Sequence, residues 1–190
     1  MKKYSHKAVV KEVKKIVEAV CKRQSNIDGY DAWKHHILPV VRFSKMLAKK
    51  LKADIEVVEL AALLHDLGSL QGDKENHHIS GTKEAEKILK KLDYPKEKIE
   101  KIKHCIYAHR GSKAIKRETL EAEIVASADA MAHYTDLPSL FYLVFNKHKL
   151  DIEEGVASLR GKLERDWKKL MPPARAIIQE KYETIRQILK

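Results

Sequence analysis

Leu60 to Leu64 form a run of five apolar residues that leads directly into His65 and Asp66, and Gly68 follows. An imidazole and a carboxylate drawn into an apolar helix lose their water and need partners of their own. Both are ligands for divalent metal ions, so metal binding is the first chemistry this pair suggests. Taken alone the pair says little, because the ordinary fate of a histidine on an apolar face is to be a satisfied core residue.

Helical phase supplies the companions. A helix turns about 100° per residue, so positions three, four, seven and eight apart share a face. His36 shares its face with Val40, Phe43 and Leu47, whereas His35 lines up with Pro39, Arg42 and Lys49 toward solvent. His109 looks back to Ile102, Cys105 and Ile106, while His104 looks back to Glu100 and Lys101. Asp129 is in phase with Ala122, Val125 and Ala126; His77 is in phase with Gly81, Ala85, Ile88 and Leu92, with His78 as the neighbouring alternative. Four histidines (His36, His65, His77, His109) and two aspartates (Asp66, Asp129) thus aim inward from five helices or helix ends. One or two divalent ions would answer their desolvation at once, and a mixed nitrogen and oxygen set accepts Mn, Fe, Co, Ni, Zn or Mg.

The elements that must carry these residues are helices. Only 7 Gly and 5 Pro occur among 190 residues rich in Lys, Glu, Ala, Leu and Ile, and no segment alternates as a strand, so the fold class expected is all-α. An amphipathic helix is expected over 5–23 and another over 36–51, beginning near His36 because Pro39 is tolerated only in a first turn. Asp54 is a natural N-cap for a central helix over 55–67, and Gly68 a natural left-handed C-cap. Further helices are expected from about Ser80 to Leu92, from Pro95 to about His109, and over 119–133 after the basic loop RGSKAIKRE. Leu159, Leu163, Trp167 and Leu170 form a stripe that is either core or an interface; Pro172 and Pro173 interrupt it before Ile178, Tyr182, Ile185 and Leu189 resume the period. The organisation expected is one domain over 1–190, with a motif-bearing core of about 30–135 and a helical extension of about 136–190.

The net charge of +11 would attract phosphate-bearing partners, from nucleotides to nucleic acid. It is equally the charge of a lysine-rich solvated surface, and no nucleic-acid-binding motif accompanies it. No apolar run approaches the roughly 20 residues of a membrane span. Two cysteines, Cys21 and Cys105, are too few for a disulfide framework, and the opening MKKYSHKAVVKEVKK lacks the apolar block of a secretory signal, so a cytoplasmic setting is expected.

The ordered set resembles the HD superfamily of metal-dependent phosphohydrolases, in particular its small HDIG-type members. The matching residues are His36 ahead of an apolar helix, HDLG at 65 to 68, HHISG at 77 to 81, YAHRG at 107 to 111 and SADAMAHY at 127 to 134. The resemblance covers about residues 30–135 and implies an HD-domain helical bundle with flanking N- and C-terminal helices. It implies that His36, His65, Asp66 and Asp129 form the basic metal set. In members with two ions, His77 and His109 join it, and Asp66 bridges. Many relatives carry a basic residue three positions after the first histidine, where this chain has Pro39. Phosphate contacts are therefore expected from Arg110, Lys113 and Lys116 in the basic loop.

Such ions lower the pKa of a bound water and neutralise phosphate oxygens. In this reading His65 and Asp66 are catalytic as well as metal-binding, and Asp73 and Glu75 are candidates for handling a proton. The expected activity is hydrolysis of a phosphate ester or anhydride in a small phosphorylated metabolite, a nucleotide foremost. The spacing also resembles that of members that split dinucleoside polyphosphates. Two other readings stay open: a nucleotide-sensing module without turnover, and a basic helical nucleic-acid-binding protein with a structural metal.

Overall fold

The computed structural model describes residues 5–26, 29–111, 113 and 115–190. No strand occurs among them, as the composition predicts. Two helices make the centre, α3 (Ile55–Leu64) and α7 (Leu120–Thr135). Every residue of α3 from Val57 to Leu64 is buried, which is why its sequence has no polar face. Asp54 caps it by accepting from the amides of Glu56 and Val57 at 3.0 and 3.2 Å. Thr119 caps α7 in the same way, through the Ala122 amide.

The other helices lie around this pair. α1 (His6–Cys21) buries Val9, Val13, Val17 and Val20. It is tied down at the buried Glu59, whose carboxylate meets His6 Nε2 at 3.2 Å and Lys45 Nζ at 2.8 Å. α2 (Leu38–Leu51) packs on both central helices, α6 (Lys96–Ala108) closes a further side, and α5 (His77–Lys91) packs on α6. α9 (Ile152–Lys169) and α10 (Pro172–Ile188) pack on α7. Leu159, Leu163 and Leu170 are buried there, so the stripe is core. Trp167 and Tyr182 stack with ring centroids 3.8 Å apart, joining α9 to α10. No helix among the described residues is long and apolar enough to cross a membrane.

Three local expectations are corrected. The helix carrying His36 starts earlier, at Asp31, and passes through a π-helical segment, Trp33–Ile37, before α2. The wider π turn lets the Leu38 amide bond to the Trp33 carbonyl and hands Pro39, which has no N–H, a place inside a continuing helix. The helix expected from Ser80 begins instead at His77, which moves the histidine pair from a loop into a first turn.

Gly68 is the third. It is not a left-handed cap: α3 ends at Leu64, and Gly68 lies within the short α4 (Leu67–Leu70) without a positive φ. Its role is close approach, since a β-carbon there would sit 2.7 Å from the His77 carbonyl oxygen and 2.8 Å from the Gly81 amide nitrogen. Backbone cannot swing away as a flexible side chain can. Gly68→Ala is therefore expected to lower stability by about 1–3 kcal/mol, the usual cost of overpacking, and to weaken metal retention by displacing His77 from Asp66. Urea melts with metal content measured on the same samples test this; wild-type values in both would refute it.

Candidate metal centre

Five stretches of backbone converge on one point. The π-helical segment delivers His36, the kink between α3 and α4 delivers His65 and Asp66, the first turn of α5 delivers His77, the C-cap of α6 delivers His109, and α7 delivers Asp129. π turns recur at functional sites because they rotate side chains out of regular helical phase.

Asp66 sits at the middle with its two oxygens facing different partners. Oδ2 lies 3.2 Å from His36 Nε2 and 3.5 Å from His65 Nε2. Oδ1 lies 3.7 Å from His77 Nε2 and 3.6 Å from His109 Nε2. Asp129 Oδ1 completes the first side, 3.3 Å from His36 Nε2 and 3.8 Å from His65 Nε2. Among the described residues, three overlapping groups could each hold an ion: His36 with His65 and Asp66, His36 with Asp129 and His133, and Asp66 with His77 and His109.

The orientation of the imidazoles shows that these atoms fit a metal. His65, His77 and His109 each turn Nδ1 onto the carbonyl oxygen three residues back, at 2.8, 3.0 and 2.6 Å. A carbonyl oxygen only accepts, so Nδ1 carries the proton and Nε2 presents its lone pair inward. Lone pairs then face carboxylate oxygens, an arrangement that calls for a cation. Two ligands of one ion, each about 2.1 Å from it, stand roughly 3.0–3.5 Å apart, and the shorter separations fall in that range.

Electrostatics agrees. Burial alone would raise the carboxyl of Asp66, but His65, His109 and His36 around it hold it well below the usual carboxylate range. Asp129 is likewise held down against its burial, by Lys169 first and then by His133 and His36. Burial pushes His65 down to about 4, so it is neutral near pH 7 and free to ligate. Burial works against the charged form of His36 too, but its contacts with Asp66 and Asp129 turn the net shift upward.

Three further side chains at the site are ones that helical phase did not single out. His133 stacks on His36 with ring centroids 4.9 Å apart, and its Nε2 lies 4.0 Å from Asp129 Oδ1. A signal for it exists: His133 stands four residues after Asp129 on the same helix, within SADAMAHY. On its other side Nδ1 lies 3.0 Å from Asp166 Oδ2, though out of line for a hydrogen bond. Asp166 and Lys169 come from α9, beyond the segment that carries the resemblance. Lys169 Nζ forms a buried ion pair with Asp129 Oδ2. For Asp166 the available clue is an acid in phase with Leu159 and Leu163 on an apolar stripe.

A cavity of about 310 Å³ opens over these groups, and Lys74, Arg110, Lys162, Arg165 and Lys169 line it together with His36, Asp66, His77, His109 and Asp129. Arg110 reaches it while its Nη1 donates to His78 Nδ1 at 3.2 Å, which turns His78 away from Asp66 and onto Tyr107. Lys113 and Lys116 are exposed and do not line it. Asp73 is also outside it, accepting from the Asn76 amide at 2.8 Å at the start of α5, and Glu75 is exposed. His35 pairs with Asp136 at 2.7 Å, and His104 accepts from the Glu118 amide at 3.0 Å. His35→Ala and His104→Ala are accordingly expected to keep wild-type metal content by elemental analysis; loss of the metal in either would mean that the ligand set is drawn wrongly.

Comparison with known proteins places this geometry. The family model described as HD domain matches residues 33–134. Ribonuclease Y of Borreliella burgdorferi is 35% identical over 92 residues, which covers 46% of this chain and 16% of that much longer protein. Among solved structures, Bacillus subtilis YpgQ in complex with ADP superposes with a TM-score of 0.75 at 20% identity, covering 97% of this chain and 93% of that one. An HD-superfamily hydrolase from Bacillus thuringiensis gives 0.72 at 16% identity, covering 97% and 95%. At such identities the two structures speak for the fold. The matched segment takes in more than half of the chain and holds His36, His65, Asp66, His77, His109 and Asp129: the chain belongs to the HD-domain family, whose members are generally metal-dependent phosphohydrolases.

Proposed function

We propose that this protein hydrolyses a phosphate ester or anhydride in a small phosphorylated metabolite, a nucleotide foremost, using two divalent ions. The observation that carries this reading is the division of Asp66, whose oxygens face one imidazole pair each, beneath a cavity lined by five cationic side chains. His36, His65, Asp66 and Asp129 would hold one ion, and Asp66, His77 and His109 the other. Bound there, the ions supply an activated water and neutralise phosphate oxygens.

The chain's own residues do the rest. Arg110, Lys162 and Arg165 stand where they can bind phosphate oxygens, and Arg offers two parallel donors. Lys169 balances the charge of Asp129 and fixes its orientation. His133, flanked by Asp166, fixes the ring plane of His36 by stacking on it. That YpgQ was solved in complex with ADP supports a nucleotide as substrate.

A second reading has one observation in its favour: the partial likeness to ribonuclease Y, on a chain of net charge +11, points to RNA phosphodiesters. One panel separates the two. Nucleotides, dinucleoside polyphosphates, sugar phosphates and an oligoribonucleotide are incubated with chelator-treated protein to which Mn, Co, Ni or Mg is restored. Metal-dependent turnover of the small compounds is the expected result. Cleavage of the oligoribonucleotide alone would favour the second reading, and nucleotide binding without turnover under every ion would make the protein a sensor.

A further inference from the structure

A second cavity, of about 420 Å³, adjoins the metal-lined one and shares His36, Asp66, Ser69, Lys74, His133 and Lys162 with it. Its volume is that of a small-molecule site, typically about 300–1,000 Å³. The character of its wall is different. Leu70 of α4 contributes, but most of the apolar wall is Pro138 and Leu140 of α8 (Leu137–Phe141), with Tyr142 and Leu143 of the π-helical segment Tyr142–Lys147 that follows. Asp31, His35 and Asp136 line this cavity and not its neighbour.

The wall is built firmly. A β-carbon at Gly155 of α9 would collide with the Phe145 ring, so Phe145 seats the π-helical segment in a notch that glycine leaves open. This second π turn borders a cavity as the one that carries His36 does, and π turns recur at functional sites. These residues also lie beyond the 33–134 segment shared with the family. Chemistry resides in the shared part of a fold and specificity in the parts grafted on it.

We propose that this cavity takes the organic part of the phosphorylated substrate, a planar heteroaromatic ring with hydrogen-bonding groups on its edge, while the phosphates pass Lys74 and Lys162 into the metal-lined cavity. The proposal rests on the part of the proposed function that puts the phosphates in the metal-lined cavity. Each end has its own complement. Lys74 and Lys162 stand where the two cavities meet, and Asp31, Lys147 and the His35–Asp136 pair lie in this one alone beside its apolar wall, which suits a molecule anionic at one end and carrying a flat ring with a polar edge at the other. An inorganic polyphosphate would leave the Leu and Tyr wall wet, and an alkyl chain would lay apolar surface against Asp31, Lys147 and the His35–Asp136 pair.

The test measures binding, without turnover. The probes are α,β-methylene nucleoside diphosphates carrying each of the four common bases, and methylenediphosphonate as the base-free counterpart, in calorimetry with Mg²⁺ present. The wild type should bind at least one nucleotide about tenfold more tightly than methylenediphosphonate, the scale of one buried aromatic contact. Tyr142→Ala and Leu143→Arg should each bring that ratio close to one, and Tyr142→Phe, which keeps the ring, should preserve it. Tyr142 is 47% exposed, so its replacement should spare the fold, as a melting curve will show. Equal binding of the two probe types by wild type, no binding of any nucleotide, or an unchanged ratio in both disruptive variants would overturn the proposal. Because no hydrolysis enters these values, failure of the turnover panel alone would remove the enzymatic reading and leave the ring site standing.

Discussion

Asp66→Ala is expected to lose bound metal and phosphate release together, down to background in both. Asp66 is the only carboxylate within 4 Å of His36, His65, His77 and His109 alike among the described residues. Its removal leaves imidazole lone pairs facing one another without the anion that attracts a cation between them. Asp129 cannot take over, since its Oδ2 is held by Lys169 and its Oδ1 faces His36, His65 and His133 only. Asp66→Asn is the informative companion, because it keeps the shape and removes the charge. It should also empty the site, while circular dichroism stays that of wild type. Elemental analysis beside phosphate release reads both effects; full metal content in Asp66→Asn would show that the carboxylate charge is not what holds the ion.

His77→Ala and His109→Ala should have the next largest effect, each reducing metal toward one ion per chain and the rate by about 100-fold, the scale on which a lost electrostatic stabiliser acts. Both histidines face only the Oδ1 side of Asp66, 3.7 and 3.6 Å away, and the Oδ2 side keeps His36, His65 and Asp129 without them. Loss should therefore be partial, in contrast to Asp66→Ala. His109 is almost fully buried, at 3% exposure, so His109→Asn is a gentler second variant there. One ion in metal-replete wild type, with full activity surviving in both alanine variants, would leave a mononuclear hydrolase.

The contrast between neighbouring histidines is legible in the sequence because helical phase is a local property. Adjacent positions differ by about 100° around the axis and positions five apart by about 140°, so His36 and His35, or His109 and His104, part company wherever their helices form. The apolar run into His65 marks the central helix for the same reason: eight successive buried residues leave no solvated face to pattern. Phase fails where the helix itself is irregular or its limits are set from outside. The π turn ahead of Pro39, the start of α5 at His77 and the tight passage of Gly68 against Gly81 are settled by contacts between elements, and a linear pattern holds no record of them. Distance along the chain hides more. Lys169 reaches Asp129 from 40 residues away, and Asp166 reaches His133 from a helix with no recognisable motif. Apart from the phase of Asp166 with Leu159 and Leu163, a lysine or an aspartate on α9 looks like any solvated charge until α9 folds across α7. Only burial distinguishes the two, and burial is a property of the packed whole.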